Sequence, residues 1–208
     1  MVRNDVPAPT ETEFLAGVEQ FERREKRDSM YRVATFLVEH YWGKPADMAD
    51  GLGVLLLTWN QAFYRYGLFS FDKLERCLAE SMTPLGDFRK RDILSFSASD
   101  VPLVKMLFER FLEALQIDVG KIKGRKSPVA VAKALHLTAP AFFPLWDDKS
   151  ARAYGCYYGG DPEGSYDSFC RITQSIAKIV KDYEVPKGKT LTKLIDEYNY
   201  AKFTEHWI

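Results

Sequence analysis

The spacing of apolar residues is the feature that most constrains this chain. Apolar residues recur every three or four positions through most of the sequence. Phe14, Val18 and Phe21 are an example. This spacing places them on one face of an α-helix. No segment sustains the alternation of a half-buried strand, and no Asn-Gly or Asp-Gly turn joins two strand-like runs. The sequence therefore predicts an all-α fold of about nine helices.

Capping residues indicate where several of these helices begin. Ser29, Ser70 and Ser127 each precede a helical pattern and can accept a hydrogen bond from its first turn. Ser99 or Asp100 can do the same for the clearest apolar seam in the chain. The patterns predict helices within 11–26, 29–42, 46–67, 70–80, 97–116, 127–137, 147–154, 166–183 and 190–203.

Length and composition favour one domain over residues 1–208. A chain of 208 residues can build one substantial core. The 29 basic and 29 acidic residues balance, which neither supports nor excludes nucleic-acid binding, since a local basic face decides that. The longest apolar run, residues 51–59, is far shorter than the ~20 residues of a membrane span, and no signal region opens the sequence. We expect a cytoplasmic protein without a membrane partner.

Cysteine and histidine are sparse. The three cysteines are an odd, scattered set that does not build a disulfide framework, and no CxxC pair occurs. The three histidines stand far apart in the sequence, so a zinc site is not expected. We predict neither a metal nor a cofactor.

Residues 124–155 carry the most specific pattern. They read GRKSPVAVAKALHLTAPAFFPLWDDKSARAYG. A basic, glycine-bearing loop leads into a helix of small residues, an apolar link follows, and Asp147 comes directly after Trp146. A short helix is predicted from Asp147 or Asp148 to a glycine stop at Gly155. An aspartate in this place can cap the helix, or it can serve an active site backed by an apolar wall.

This order of elements resembles the helix-hairpin-helix DNA glycosylases over about residues 50–155. In that family a hairpin leads into a helix, and a proline-containing link then leads to a catalytic aspartate at a helix start. The segment PLWDDKSAR places Asp147 and Arg152 five residues apart, as the family segment does. Upstream, LLLTWNQAFYRYGLFSFDKLERCL resembles the family's two helices before the hairpin.

The resemblance implies a site that removes a modified or damaged base from DNA. Asp147 is implied as the catalytic carboxylate, and either Lys133 or Lys126 as a nucleophile that also permits strand cleavage. The residues implied to contact DNA are Gly120, Lys121, Lys123, Gly124, Arg125, Ser127, Lys149 and Arg152. The expected walls of the base pocket are Trp59, Asn60, Gln61, Tyr64 and Trp146.

These residue types suit that chemistry. Breaking the bond between base and sugar develops positive charge on the sugar, which a carboxylate in a dry site stabilises. A buried lysine of lowered pKa can attack the sugar carbon and form a Schiff base. A flipped base stacks between aromatic side chains. Basic side chains and backbone N–H groups freed by glycine can hold phosphates.

Structural interpretations of the same residues remain open. Asp147 can be a helix cap only, and Lys133 can extend along an apolar helix to the surface. The aromatic residues of 59–66 can be core, and the basic loop can be an ordinary solvated turn. Arg152 can pair with Asp148 on its own helix instead of touching DNA.

A second hypothesis is a helical module that binds nucleic acid or protein on the same scaffold without chemistry. Gly120 and Gly124 are four residues apart, so the family's G-x-G hairpin is missing, and Lys149 replaces the histidine of the family segment. Neither Lys126 nor Lys133 lies at the family's lysine-to-aspartate spacing. A third hypothesis is a helical protein with no role on nucleic acid.

Overall fold

The computed structural model describes residues 8–184, 186 and 188–208. Within them lie ten α-helices, which confirms the all-α prediction. The helices are α1 Glu11–Arg24, α2 Ser29–His40, α3 Pro45–Trp59, α4 Gln61–Tyr64, α5 Phe71–Arg89, α6 Val101–Ala114, α7 Pro128–Thr138, α8 Asp148–Ala153, α9 Pro162–Val180 and α10 Leu191–Asn199. A 3₁₀ turn at Ile93–Ser95, a π-helical segment at Tyr200–Thr204 and two short strands, β1 Gly67–Leu68 and β2 Val119–Gly120, complete this part of the chain.

Side-chain caps fix several helix starts where the sequence predicts them. Ser70 accepts a hydrogen bond from the Lys73 N–H, and Ser127 accepts one from the Ala130 N–H. The cap predicted for α2 is wrong by one residue, since Ser29 is its first residue and Asp28 holds the N-cap position at φ 36°. Asp100 takes the N-cap position of α6, but its carboxylate bonds Arg91 and Ser97 instead of the first turn.

The long helix predicted over residues 46–67 is interrupted at Asn60. In a continuous helix the Phe63 N–H would donate to the carbonyl of Trp59, but here it donates to the carbonyl of Asn60. The chain then makes one further turn, α4, before β1. The interruption leaves the Trp59 carbonyl without its intrahelical donor.

Three other boundaries differ from the sequence prediction. The fifth helix continues to Arg89 through an internal Pro84, well past residue 80. Helix α9 begins at Pro162, four residues before the predicted start at residue 166. The last helix keeps α-helical bonding only to Asn199 and then widens into the π-helical segment. None of these changes alters the fold class.

Glycines 120 and 124 shape the basic loop between α6 and α7. Gly120 and Gly124 have φ of +112° and +88°, in the region that favours glycine. At Gly120 a Cβ would lie 2.4 Å from the carbonyl oxygen of Tyr66, because β2 pairs antiparallel with β1 there. The loop is thus tied against the chain that follows α4.

The helices of both chain ends pack into the same core. α1 contacts α10, α3 lies between α2 and α5, and α6 contacts α5, α7 and α9. The aromatic centre of this core includes Trp146, Phe108 and Tyr166. The Tyr166 hydroxyl donates a hydrogen bond to the carbonyl oxygen of Pro144 at 3.0 Å. No helix in the described part of the chain combines the length and apolar character needed to cross a bilayer.

Candidate active site

A cavity of about 240 Å³ lies where α1, α2, α3, α7, α8 and α10 meet. Four residues predicted from the sequence line it: Trp59, Lys133, Trp146 and Asp147. They come from the end of α3, the middle of α7 and the start of α8. The structure therefore brings the predicted carboxylate, one of the two predicted lysines and two predicted aromatic walls together.

The amine of Lys133 is held at the inner wall of this cavity. Its Nζ donates a hydrogen bond to the carbonyl oxygen of Trp59 at 2.9 Å and lies 4.6 Å from the centroid of the Trp59 ring. Burial lowers the pKa of Lys133 from 10.5 to about 8, although the charges of Asp196 and Asp147 favour the protonated form. The neutral amine is therefore far more populated near neutral pH than in an ordinary lysine.

Both oxygens of Asp147 are engaged. Oδ1 accepts a hydrogen bond from the Ser150 N–H at 2.7 Å and so caps α8, as the sequence predicts. Oδ2 accepts one from the Thr204 hydroxyl at 3.1 Å. The carboxylate is thus oriented by two separate elements at the wall of the cavity. Asp147 therefore both caps α8 and lines the cavity.

The C-terminal helix contributes two ionisable residues that the sequence analysis did not select. Lys193 and Asp196, one turn apart on α10, line the same cavity, together with Asp28 from the start of α2. All three lie outside residues 50–155. They complete a ring of mixed charge around the hollow.

Lys193 contacts two carboxylates of this ring, Asp28 and Asp196. Its Nζ lies 3.0 Å from Oδ2 of Asp28, 3.5 Å from Oδ2 of Asp196 and 3.6 Å from Oε1 of Glu197. The same amine lies 4.5 Å from the ring centroid of Phe21. Although burial opposes it, the three carboxylates together raise the pKa of Lys193 above its ordinary value. Lys193 is therefore a protonated, structural cation, whereas Lys133 is the amine that can lose its proton.

Asp196 has the most unusual carboxyl group of the cavity. Its side chain is 22% exposed. Burial raises the pKa of Asp196 to about 6, with the neighbouring Lys193 opposing and the carboxylates of Asp147, Glu197 and Asp28 adding to the rise. A carboxyl group that changes charge near neutral pH inside a cavity is typical of functional sites.

A buried histidine, His136, lies on α7, the helix that also carries Lys133. His136 is fully buried on α7; its Nδ1 lies 2.7 Å from the carbonyl oxygen of Phe143, and its Nε2 lies 3.2 Å from the Tyr31 hydroxyl. Burial lowers its pKa to about 3, so the ring is neutral. His136 is a hydrogen-bonded core residue.

Other predicted site residues lie elsewhere. Lys126 is exposed and forms an ion pair with Glu113, away from the residues that line the cavity. Asn60 donates to the Ser127 hydroxyl at 3.0 Å, Gln61 is exposed, and Tyr64 is buried with its hydroxyl on the carbonyl of Leu115. The expected grouping of Lys126, Asn60, Gln61 and Tyr64 with Asp147 is therefore not observed.

The predicted phosphate contact through backbone N–H groups of the basic loop needs one correction. The backbone N–H groups of Lys121, Gly124 and Arg125 already donate to carbonyls of Tyr66, Ile117 and Ile122. These three amides are not free to bind a phosphate. Lys121, Lys123 and Arg125 are exposed, and none makes a side-chain hydrogen bond or ion pair with another described residue.

The loop joins the wall of the cavity through Ser127. This residue caps α7, which carries Lys133, and accepts the hydrogen bond of Asn60, the neighbour of Trp59. On the other side, Lys149 is exposed on α8. Arg152 pairs with Asp148 at 3.0 Å and lies 3.8 Å from the Tyr157 ring centroid. Arg152 thus adopts the pairing that the structural interpretation of α8 expects.

A larger groove of about 560 Å³ runs between α5 and α6. It is lined by exposed residues of both charges, including Arg76, Glu80, Glu109 and Arg110. We place the candidate site at the smaller cavity because a buried amine and two carboxylates converge there. Among the residues that the structure describes, no three His, Cys, Asp or Glu side chains are grouped as a metal site requires.

Comparisons of the chain with protein-family models, with curated proteins and with solved structures find no match. A function for this cavity therefore has to be argued from its own residues.

Proposed function

We propose that this chain is a DNA base-excision enzyme of the glycosylase type, in which Lys133 is the nucleophile and Asp147 the stabilising carboxylate. The single observation that carries the proposal is that Lys133 and Asp147 line one cavity with Trp59 and Trp146. The four residues are scattered over nearly ninety positions of sequence, and the resemblance described above implies each of them for this chemistry, with Lys126 as the alternative to Lys133.

The proposed reaction begins at Lys133. The neutral amine forms a bond to C1′ of the sugar while the bond between C1′ and the base breaks, and the electron pair leaves with the base. The new nitrogen loses a proton, the bond between C1′ and O4′ opens, and O4′ is protonated. The product is an imine between Lys133 and the sugar, which borohydride reduces to a stable amine.

Asp147 counters the positive charge that develops on the sugar. Its two hydrogen bonds, to Ser150 and Thr204, fix the carboxylate in one orientation before substrate arrives, so that little reorganisation is required. Trp146 is almost fully buried, and its ring is part of an apolar wall that keeps water sparse. The cavity is slightly smaller than the ~300–1,000 Å³ of usual ligand sites, which suits one flipped base.

The strand that carries the base needs a positive surface nearby. The exposed side chains of Lys121, Lys123 and Arg125 supply it through charge, because several loop amides are already used. Ser127 and Asn60 connect this loop to the Trp59 wall. Neutralising one of these three side chains is expected to reduce the slope of log affinity against log salt concentration by about one.

Borohydride trapping on duplex DNA with one abasic site tests the proposal. We expect the wild type and Lys126→Met to form a covalent adduct and Lys133→Met to form none, since of these two lysines only Lys133 lies in the cavity. Methionine keeps the length and apolar stem of lysine, and circular dichroism checks that both variants fold. Adduct formation by Lys133→Met equal to that of the wild type would contradict the assignment.

Base release is measured separately on duplexes that each carry one damaged base. Asp147→Asn keeps the shape of the side chain, and we expect it to lower the release rate by about 10²-fold or more. If the wild type binds these duplexes with the expected salt dependence but releases no base and traps no adduct, the chain is the non-catalytic binding module instead.

A further inference from the structure

Two carboxylates, Asp147 and Asp196, line the cavity together with the amine of Lys133, and they are held very differently. The charges of Asp196 and Asp147 both favour the protonated amine, and Asp196 has the larger effect. Asp147 accepts hydrogen bonds on both oxygens. Among the described residues, the side chain of Asp196 has one hydrogen-bonding or ionic partner, Lys193, which lies 3.5 Å from Oδ2, and Oδ1 accepts no hydrogen bond. One carboxylate is fixed, and the other has an oxygen available to the cavity.

We propose that Asp196 is a second catalytic carboxylate, the general base that takes the proton from Lys133 when its nitrogen bonds to the sugar and returns that proton to O4′. This inference rests on the proposed function. It divides the work of the site between a fixed carboxylate, Asp147, that stabilises charge and an adjustable one, Asp196, that moves a proton.

The proton balance of the step requires such a group. When the neutral amine bonds to C1′, its nitrogen becomes a secondary ammonium and must lose one proton to Asp196. Opening the bond between C1′ and O4′ leaves an alkoxide that must gain one proton, which Asp196 supplies. The carboxylate is therefore restored, no external acid or base is consumed, and the imine remains on Lys133.

The other charged groups around Asp196 are less suited to this role. Those that face it or share its cavity are Lys193, Lys133, Asp147, Glu197, Asp28 and Glu25, and the tyrosines nearby are Tyr31 and Tyr200, whose pKa values are raised. Glu197 is fully buried and pairs with Lys189 at 2.9 Å, and Asp28 pairs with Lys193 at 3.0 Å. Lys193 has a raised pKa and keeps its proton, so its part is to position Asp196.

The protonation behaviour of Asp196 agrees with this geometry. Burial raises its pKa to about 6, and burial lowers that of Lys133 to about 8. Groups whose pKa values lie near the working pH exchange a proton most effectively, because neither protonation state is strongly preferred.

The first test uses duplex DNA with an abasic site, which needs no base release. Asp196→Asn cannot accept the proton, and we expect its trapping rate at saturating DNA to fall by about 10²-fold, with the DNA dissociation constant unchanged within about 2-fold. The acidic limb of the pH–rate profile, near pH 6, disappears. Asp196→Glu retains a carboxylate and recovers part of the rate.

A matched control comes from the same helix. Glu197→Gln also removes one negative charge beside Lys193, but from outside the cavity, and we expect trapping within about 3-fold of wild type if only Asp196 transfers the proton. Thermal unfolding shows whether each variant is folded. A trapping rate and pH profile of Asp196→Asn equal to those of the wild type would overturn the inference, as would a loss accompanied by equally weakened DNA binding.

A second test separates this inference from the proposed function. Formaldehyde and cyanoborohydride are given to the protein without DNA, and methylation of Lys133 is followed by mass spectrometry with Lys126 as the internal reference. If Asp196 acts on Lys133 only through its negative charge, Asp196→Asn should lower the pKa of Lys133 and speed its methylation below pH 8. A proton-transferring Asp196 predicts slower methylation.

The two failures are thus distinguishable. If wild-type protein traps no DNA but methylation of Lys133 still slows in Asp196→Asn, the proposed function fails and the proton transfer between Lys133 and Asp196 stands. If DNA is trapped and neither reaction responds as expected to Asp196→Asn, the function stands and this inference fails.

Discussion

The amine of Lys133 is anchored to the end of a different helix through Trp59. It donates to the Trp59 carbonyl at 2.9 Å and lies 4.6 Å from the centre of the same residue's ring. A hydrogen-bond acceptor and an aromatic face therefore hold an amine whose surroundings favour loss of its proton. The burial of this amine makes the free energy of unfolding depend on pH.

We expect Lys133→Met to be more stable than wild type at pH 7, with an advantage that shrinks as pH rises from 8 to 10.5. The folded pKa of about 8 lies below the ordinary 10.5, so the unfolded chain binds more protons in this range. The unfavourable burial of charge is therefore fully present below pH 8 and is lost above 10.5, at about 1.4 kcal/mol per pH unit.

Urea denaturation of both proteins at pH 7, 9 and 10 measures this difference. Tyrosine ionisation affects both chains alike and cancels in the comparison. A difference that does not change with pH would show that Lys133 keeps an ordinary pKa in the folded protein.

Acid should destabilise the protein through His136. Its ring is fully buried, and burial lowers its pKa to about 3 from 6.5. Below pH 6.5 the unfolded chain gains a proton that the folded chain excludes, so the free energy of unfolding falls by about 1.4 kcal/mol per pH unit down to pH 3. We expect His136→Gln, which does not titrate, to flatten the dependence measured between pH 7 and 4, and an unchanged slope would assign it to other groups.

The Arg91–Asp100 pair should be worth more than a surface ion pair. Nη1 and Nη2 of Arg91 donate to the two oxygens of Asp100 at 2.7 and 2.8 Å, and the Ser97 N–H donates to Oδ2 at 2.8 Å. These bonds lower the pKa of Asp100. We expect Asp100→Asn to cost about 2–3 kcal/mol at pH 7, because a nearly buried bidentate pair loses its partner.

The exposed pair of Lys90 with Asp87 is the control for that prediction. Asp87→Asn should change the free energy of unfolding by less than about 0.5 kcal/mol. Equal effects of Asp87→Asn and Asp100→Asn in chemical denaturation would contradict the distinction.

Two glycines should respond to alanine in opposite directions. Gly120 has φ +112°, and a Cβ there would lie 2.4 Å from the Tyr66 carbonyl oxygen, so we expect Gly120→Ala to destabilise by about 2 kcal/mol or more. Gly86 lies within α5 with open space around it, and Gly86→Ala should stabilise by about 0.5–1 kcal/mol. Melting temperatures of the two variants should move in opposite senses from that of the wild type.

Local patterns predicted the part of the site that one short segment determines. The Asp147 cap and the Ser127 cap follow from side-chain chemistry within four residues, and α7 follows from its small apolar residues. Trp146 and Lys133 belong to the same stretch. These features are local, so one sequence is enough to find them.

Lys193 and Asp196 could not be selected in the same way. A lysine and an aspartate three residues apart on an amphipathic helix ordinarily form a solvated pair. Only the packing of α10 against α1 and α9 places them at the cavity, and α1 and α10 are far apart in sequence. Lys126, the alternative lysine that the family resemblance implied, pairs with Glu113 and does not line the cavity.

The sequence did not indicate the interruption at Asn60 either, since neither glycine nor proline marks it. Its effect reaches beyond the local geometry. Had the helix run straight through, the Trp59 carbonyl would have accepted the Phe63 N–H and would have been a poorer acceptor for the Lys133 amine. Replacing Asn60 with a stronger helix former is therefore expected to straighten the backbone at the cost of the hydrogen bond that positions the Lys133 amine.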